Sequence, residues 1–432
     1  MTTKIKGNRI DVDSVKNALN YSAEEIGATP TGGYAGTAQD LYQLTQNNYS
    51  GVILPTDGTT AMTRVGLSDI EWYKKGLKIV LLADDLTENV VIADYANPEI
   101  VAGADLTGAS GQVMVKIPRI YYREVLDGSG VLIRVEISPI RLVGFECHPK
   151  FVRPDGTERE FIYIGAYEAS NSGSNVLQSV SGVAPLTSQT LATFRSRAFA
   201  RGEGWYPYDF WTQHLIQLLF YVNHATFNSQ TALPGYTERT AWNDAYKRNT
   251  GRSNILTSMS GTIAADLGGL DIGLDDANWR IAEKNIANRF LFIENLFGHI
   301  WKFMDGCAFD GRVGQSNLAY VTNDPALFTS VDAEITTKYK AYGAALPAAT
   351  NENYIQSMQS GFLPKAHGGA STTYVTDYFW SHLDDASRDY FRAVRAGGAL
   401  NNGGPAGVAA RYSTNGLGAA FSDVGSRLCA AP

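Results

Sequence analysis

Between Arg395 and Cys429 the chain is a run of glycine, alanine and small polar residues, with seven glycines from Gly397 to Gly418. Such a segment must fix many backbone dihedrals while burying little apolar surface, so it cannot fold alone. Other parts of the chain have to hold it, and the aromatic-rich blocks upstream supply the material for that scaffold. A function carried on a supported surface is therefore expected at this end of the chain.

The 432 residues exceed the size at which one hydrophobic core usually stops growing, which predicts two or three domains. Hydrophobic residues make up 44% and charged residues only 18%, the balance of a globular chain. The net charge of −7 is not offset by any basic block, so a phosphate-tracking surface for nucleic acid is not expected. Cys147, Cys307 and Cys429 are odd in number and far apart, against a disulfide framework or zinc spacing, and read as buried, inert thiols. The first residues lack the apolar run of a secretory signal, and no stretch of about 18 apolar residues predicts membrane insertion. A chain of this kind working outside a cell would leave by assembly into a particle released on lysis.

Along the chain, residues 1–60 read as a small attachment segment with short helices over Ser14 to Ile26 and Thr37 to Asn47. Residues 61–138 read as a β-rich domain, a small sandwich or barrel. Its strands lie near Leu77–Leu82, Asn89–Ile92, Val113–Ile117, Ile120–Val125 and Val131–Ile137, and a further run at Gly51–Leu54 precedes them. Asp127-Gly-Ser-Gly130 predicts the hairpin turn joining the last two. Residues 139–432 form the third region. Phe161 to Tyr167 reads as a strand, Ser188 to Arg201 as a helix, and Tyr208 to Ala225 as a second helix with an apolar stripe of Trp211, Leu215, Leu218, Leu219 and Val222. His299 to Met304 alternates as a strand would. The fold class is α+β.

Four ordered blocks carry a resemblance: Phe161-Ile-Tyr-Ile-Gly-Ala-Tyr-Glu168; Gly204-Trp-Tyr206 with the helix through Val222; Glu294 to Gly306; and Arg395 to Gly403 with Val424-Gly-Ser-Arg-Leu-Cys429. Together they resemble the C-type-lectin-like fold, in the branch of formylglycine-generating enzymes and diversity-generating-retroelement variable proteins, over roughly residues 138–432. In phage members of this branch a Gly-Ser-Arg-Leu ending is familiar. The resemblance implies that side chains between the Gly-Gly strand and the closing Gly-x-Arg strand are diversified for target binding. Carried onto this chain, those positions are Ala399, Asn401, Asn402, Pro405, Ala406, Arg411, Tyr412, Ser413, Thr414 and Asn415. Binding anchors are usually aromatic or Arg, so Arg411 and Tyr412 are the expected anchors. The chain departs from the pattern at Ala399-Leu400, where a bulky Trp is common.

Catalytic and metal motifs are tested and set aside. The cysteines match no reactive pair of the formylglycine-generating type, so no enzyme is expected. The six histidines form no metal-ligand spacing, and no nucleophile elbow or phosphate loop occurs. Trp242-Asn-Asp244 spells a tripeptide used by calcium-dependent lectins, but its partner tripeptide is absent and its surroundings, Glu238 to Arg248, read as a helix. Asp266, Asp271, Asp275 and Asp276 lack EF-hand spacing and read as a solvated loop. Neither cofactor nor metal is expected.

The resemblance thus implies a virion-associated phage receptor-binding protein, an adhesin of a tail or head fibre. It would offer its C-terminal face to a bacterial surface receptor, protein or glycan, and its N-terminal region to other virion proteins. A homotrimer follows by analogy with fibre proteins. The competing expectation is a structural or decoration protein of the virion without receptor specificity.

Overall fold

The computed structural model describes residues 48–264, 286–348 and 352–432. The expected helices over Ser14–Ile26 and Thr37–Asn47, and the acidic run Asp266 to Asp276, lie outside the described residues. Helix and strand are both present, with strand dominant at 34% against 16%, and one sheet curls into a half-barrel.

The short-range turn signals act as expected. Tyr121–Leu126 and Leu132–Ser138 pair antiparallel. Between them, Asp127 Oδ1 accepts bonds from Ser129 N at 2.8 Å, Ser129 Oγ at 2.7 Å and Val131 N at 2.9 Å. Gly130 takes a φ of 80°, which side chains resist.

One sheet draws strands from both sides of the expected boundary at residue 138. Six strands lie in the order Trp205–Pro207, Leu428–Ala430, Phe161–Gly165, Gln112–Pro118, Lys78–Leu82, Glu88–Asp94. Gln112–Pro118 therefore joins the 61–138 region directly to Phe161–Gly165. The physical cause is burial on both faces: Ile79, Leu81, Val113 and Val115 belong to one core cluster, and Val80, Leu82 and Met114 to another. A strand apolar on both sides needs partners at both edges and cover on both faces, which a small separate domain does not supply.

Two helices sit on opposite faces of a nine-stranded sheet. Leu191–Phe199 starts at Thr190, whose hydroxyl accepts from Thr193 N at 3.1 Å. Phe210–His224 starts at Asp209, whose carboxylate accepts from Thr212 N at 2.7 Å, and ends at Ala225 with φ 53°. Every residue from Phe210 to Val222 is buried, not only the expected stripe. Gln213 on this helix reaches across the core, its Nε2 donating to Val408 O at 2.7 Å.

The nine-stranded sheet runs Lys340–Tyr342, Ala319–Val321, Trp301–Asp310, Phe391–Ala396, Arg411–Ser413, Tyr378–Ser381, Asn353–Gln359, Leu363–His367, with Val424–Gly425 parallel to the start of Trp301–Asp310. Trp301–Asp310 is buried at every residue, so its alternation separates two covered faces rather than core from solvent. Phe303 faces Phe194 of the Leu191–Phe199 helix at 6.2 Å between rings. Met304 and Phe309 lie in the cluster of the Phe210–His224 helix. Glu238 to Arg248, expected as a helix, is instead a loop with a single 3-10 turn at Asp244–Tyr246. Tertiary bonds override local propensity there, since Arg239 N donates to Leu400 O at 2.9 Å and Arg248 N to His299 Nε2 at 2.9 Å.

Candidate ligand-binding face

Tyr378-Phe-Trp-Ser381 alternates half-buried and buried, so Tyr378 and Trp380 point away from the core. The neighbouring strands place Tyr354 opposite Tyr378, Tyr412 opposite Trp380, and Arg395 opposite Tyr412. Tyr354, Tyr378, Trp380 and Tyr412 consequently form a half-buried row on one face. Ring centroids are 4.7 Å apart for Tyr354 and Tyr378, 4.9 Å for Tyr378 and Trp380, and 6.3 Å for the stacked pair Trp380 and Tyr412. Buried Trp301 backs the row, 5.3 Å from Trp380 and 5.8 Å from Tyr412.

Arg395 closes one end. Its guanidinium lies 3.9 Å from the Tyr412 ring and 4.2 Å from Phe421, and donates to Asn415 Oδ1. Burial lowers its pKa to about 10, which leaves it cationic at neutral pH.

The ten expected positions divide sharply. Tyr412 and Asn415 belong to this face, and Asn401, Asn402 and Pro405 are half-buried in the loop before it. Ala399, Ala406, Arg411, Ser413 and Thr414 are buried, which corrects their expected exposure. Arg411 is no surface anchor: it donates to Val408 O at 3.2 Å, Ala410 O at 3.1 Å and Gln217 Oε1 on the Phe210–His224 helix. The reason is the alternation of its strand, which turns Tyr412 outward and both neighbours inward.

The loop carrying Asn401 to Ala410 is tied down from beneath. Asn402 Oδ1 accepts from Ala399 N at 2.6 Å, and Gln230 Nε2 donates to Gly403 O at 2.7 Å and Ala406 O at 3.0 Å. Asp377 accepts from Ala409 N at 2.7 Å and Ser229 Oγ at 3.2 Å, and burial pushes its pKa up to about 7. A Cβ on Gly407 would stand 2.2 Å from Asp377 Oδ1, so only glycine fits there. The expected closing arginine, Arg427, is buried and donates to Gly165 O at 2.9 Å and Glu294 O at 2.6 Å. It locks the strand opened by Phe161 to the last strand.

Sequence reasoning missed Tyr354, Tyr378 and Trp380. The period-2 pattern of Tyr378 to Ser381 was the available signal, but which strands flank it is a long-range fact.

Several buried titratable groups elsewhere are paired in ways that hold the fold. Burial alone would raise Glu168, but His299 and Lys302 bring it down to about 2. Lys150 N donates to His148 Nδ1 at 3.3 Å, which places the His148 proton on Nε2, 2.8 Å from His214 Nδ1. His214 Nε2 in turn donates to Glu124 Oε1 at 2.9 Å. Burial pushes the thiols of Cys147 and Cys429 up to about 12 and that of Cys307 higher still, the wrong direction for a nucleophile. Trp242-Asn-Asp244 lies in the loop described above, with Trp242 packed against the core. Among the described residues no three His, Cys, Asp or Glu side chains are grouped as a metal site. No helix among them is long and apolar enough to cross a membrane. A cleft of about 1040 Å³ lies between Asp84–Leu86, Arg153–Arg159, Phe199–Tyr206 and Asp324–Ala326, and none of the ten expected residues lines it.

The face therefore offers aromatic rings on a rigid sheet, with amides and a committed arginine at one end, and no converging nucleophile or general base. No protein-family model and no curated protein matches this chain.

Proposed function

We propose that this chain is a phage virion-associated receptor-binding protein, whose C-terminal region is a C-type-lectin-like domain presenting the Tyr354–Tyr378–Trp380–Tyr412 face to a bacterial surface receptor. The observation that carries the reading is that row itself. Aromatic side chains held on a packed sheet offer large contact area at little entropic loss, the profile of binding anchors. The antiparallel return of Leu428–Ala430 beside Phe161–Gly165, locked by Arg427, supports the lectin-like reading, since the blocks that suggested it in sequence come together in space.

The N-terminal region attaches the protein to the virion, and trimeric display raises avidity without new contacts. Diversification by a retroelement acts on the half-buried positions Asn401, Asn402, Pro405, Tyr412 and Asn415.

The test is binding of fluorescently labelled protein to a panel of bacterial strains. At least one strain should retain it, and a Trp380→Ala/Tyr412→Ala double variant that still melts in one cooperative transition above the assay temperature should lose that binding. Equal retention by both proteins, or retention by no strain, would sink the receptor reading in favour of a decoration role. A reverse-transcriptase gene and an adenine-variant near-copy of the segment encoding Ala399 to Ser422 in the adjacent DNA would establish diversification; their absence would refute it.

A further inference from the structure

We propose that Asn415 is a self-modifying site, which converts in the folded protein to aspartate or isoaspartate beside Arg395. The sequence holds two Asn-Gly pairs, Asn402-Gly403 and Asn415-Gly416. With no Cβ on the second residue, its backbone nitrogen can close on the asparagine side chain, so either pair can react in a free chain. The fold treats the two differently.

At Asn402 the nucleophile is tied up. Gly403 N donates to Thr237 O at 2.8 Å, Gly403 is set at a φ of 64°, and its carbonyl accepts from Gln230 Nε2 at 2.7 Å. The Asn402 side chain is itself held by Ala399 N at 2.6 Å. Ring closure there has to give up the Thr237 bond and move a loop fixed from beneath.

At Asn415 the nucleophile is free. Ala393 N donates to Asn415 O at 2.8 Å and Ala419 N to Gly416 O at 3.2 Å, which steadies the peptide from both sides. Its planar trans geometry turns the Gly416 N–H away from Ala393, and among the described residues that N–H has no acceptor. The electrophile is prepared as well. Asn415 Oδ1 accepts from Nη2 of buried Arg395 and from Thr414 Oγ1 at 3.2 Å. Both donors polarise Cγ and stabilise the oxyanion that forms on attack, the cation more strongly.

The reaction balances with water alone. Gly416 N attacks Asn415 Cγ and loses its proton, Cγ releases Nδ2 as ammonia, and a succinimide ring closes. Water then opens one of the two ring carbonyls, giving aspartate or, where the chain now runs through the side chain, isoaspartate. Among the described residues the partners of Arg395 are the Tyr412 and Phe421 rings and the Asn415 amide, all neutral. The new carboxylate becomes a charged partner for that guanidinium and lowers the charge of the candidate face by one.

The test is to incubate the purified full chain at pH 8 and physiological temperature and to map its tryptic peptides by mass spectrometry over weeks. The peptide spanning 412–427 should gain the mass difference between an amide and an acid, and isoaspartyl methyltransferase should label it. The peptide spanning 396–411, which holds Asn402, should stay unchanged until the chain is unfolded. In denaturant the two asparagines should react at similar rates, whereas in the native protein Asn415 should be about tenfold faster or more. Arg395→Gln should slow the native reaction about tenfold. Thr414→Val, which removes only the hydroxyl donor, should slow it by less, and it serves if the Arg395 variant does not fold. Acceleration in either folded variant would mean that these donors merely restrain the side chain, and it overturns the proposal. So does an Asn415 that survives intact in the native protein, or equal native rates at Asn402 and Asn415.

Discussion

Replacing Arg411 by alanine separates scaffold from binding surface. Its guanidinium makes three hydrogen bonds in the core, to Val408 O, Ala410 O and Gln217 Oε1. Two of those acceptors keep another donor: Gln213 Nε2 bonds Val408 O at 2.7 Å, and Gly397 N bonds Ala410 O at 3.1 Å. Alanine therefore strands chiefly Gln217 Oε1 and opens a cavity, while recovering the desolvation of a buried cation. The net loss should be about 2–4 kcal/mol, the range between a lost charged hydrogen bond and a broken buried pair. Tyr412→Ala removes a half-buried ring that stacks on Trp380, meets Trp301 edge-on and carries one cation–π contact, a loss of about 1–2 kcal/mol. Urea unfolding followed by tryptophan fluorescence should show a clearly lower midpoint for Arg411→Ala than for Tyr412→Ala, and binding should rank them in the opposite order while both remain folded. An Arg411→Ala protein with the parental midpoint, or one that is fully folded yet loses binding when Tyr412→Ala does not, would refute the assignment.

Gly407→Ala forces a methyl against the Asp377 carboxylate, so a destabilisation of about 1–3 kcal/mol is expected, visible as a lowered melting midpoint; an unchanged midpoint would contradict it. Burial holds His148 well below 6.5 and His224 at about 4, so in acid the unfolded chain takes up protons that the native state refuses. Their stabilising contribution is complete above pH 6.5 and falls as pH drops through that value towards 4. The melting midpoint of a His148→Gln/His224→Gln variant should decline less than that of the parent over this window, a difference that cancels the opposite trend from Asp377. Parallel declines would refute it. Ellman's reagent at pH 8 should find no fast thiol in the folded protein and three in denaturant, because Cys147, Cys307 and Cys429 are all raised by burial; one rapidly reacting native thiol would disprove the reading.

Much of the local structure was legible before any fold was known. The strands at Lys78–Leu82, Glu88–Asp94, Gln112–Pro118, Tyr121–Leu126 and Leu132–Ser138, and the helices Leu191–Phe199 and Phe210–His224, lie where periodicity and capping residues place them. The site was legible only in part. Tyr412 and Asn415 lie on the face, but Arg411 does not, because alternation sends neighbouring side chains to opposite sides and nothing local says which side is the core. Glu238 to Arg248 failed for a related reason: a charged, aromatic segment with helical spacing is held open by bonds to Leu400 and His299, far along the chain.

The amino-acid sequence by itself determined which segments could be strand or helix, that a glycine-rich end needed outside support, and that no recognisable catalytic or metal motif was at hand. These properties are local, set by side-chain period, turn chemistry and composition. Only the tertiary structure decided that residues 78–118 share a sheet with Phe161–Gly165 and the closing strand Leu428–Ala430. It also decided that Tyr354, Tyr378, Trp380 and Tyr412 form one row while Arg411 turns inward. Strand pairing joins residues tens to hundreds of positions apart, and it is chosen by which arrangement buries both faces of the apolar strands at once.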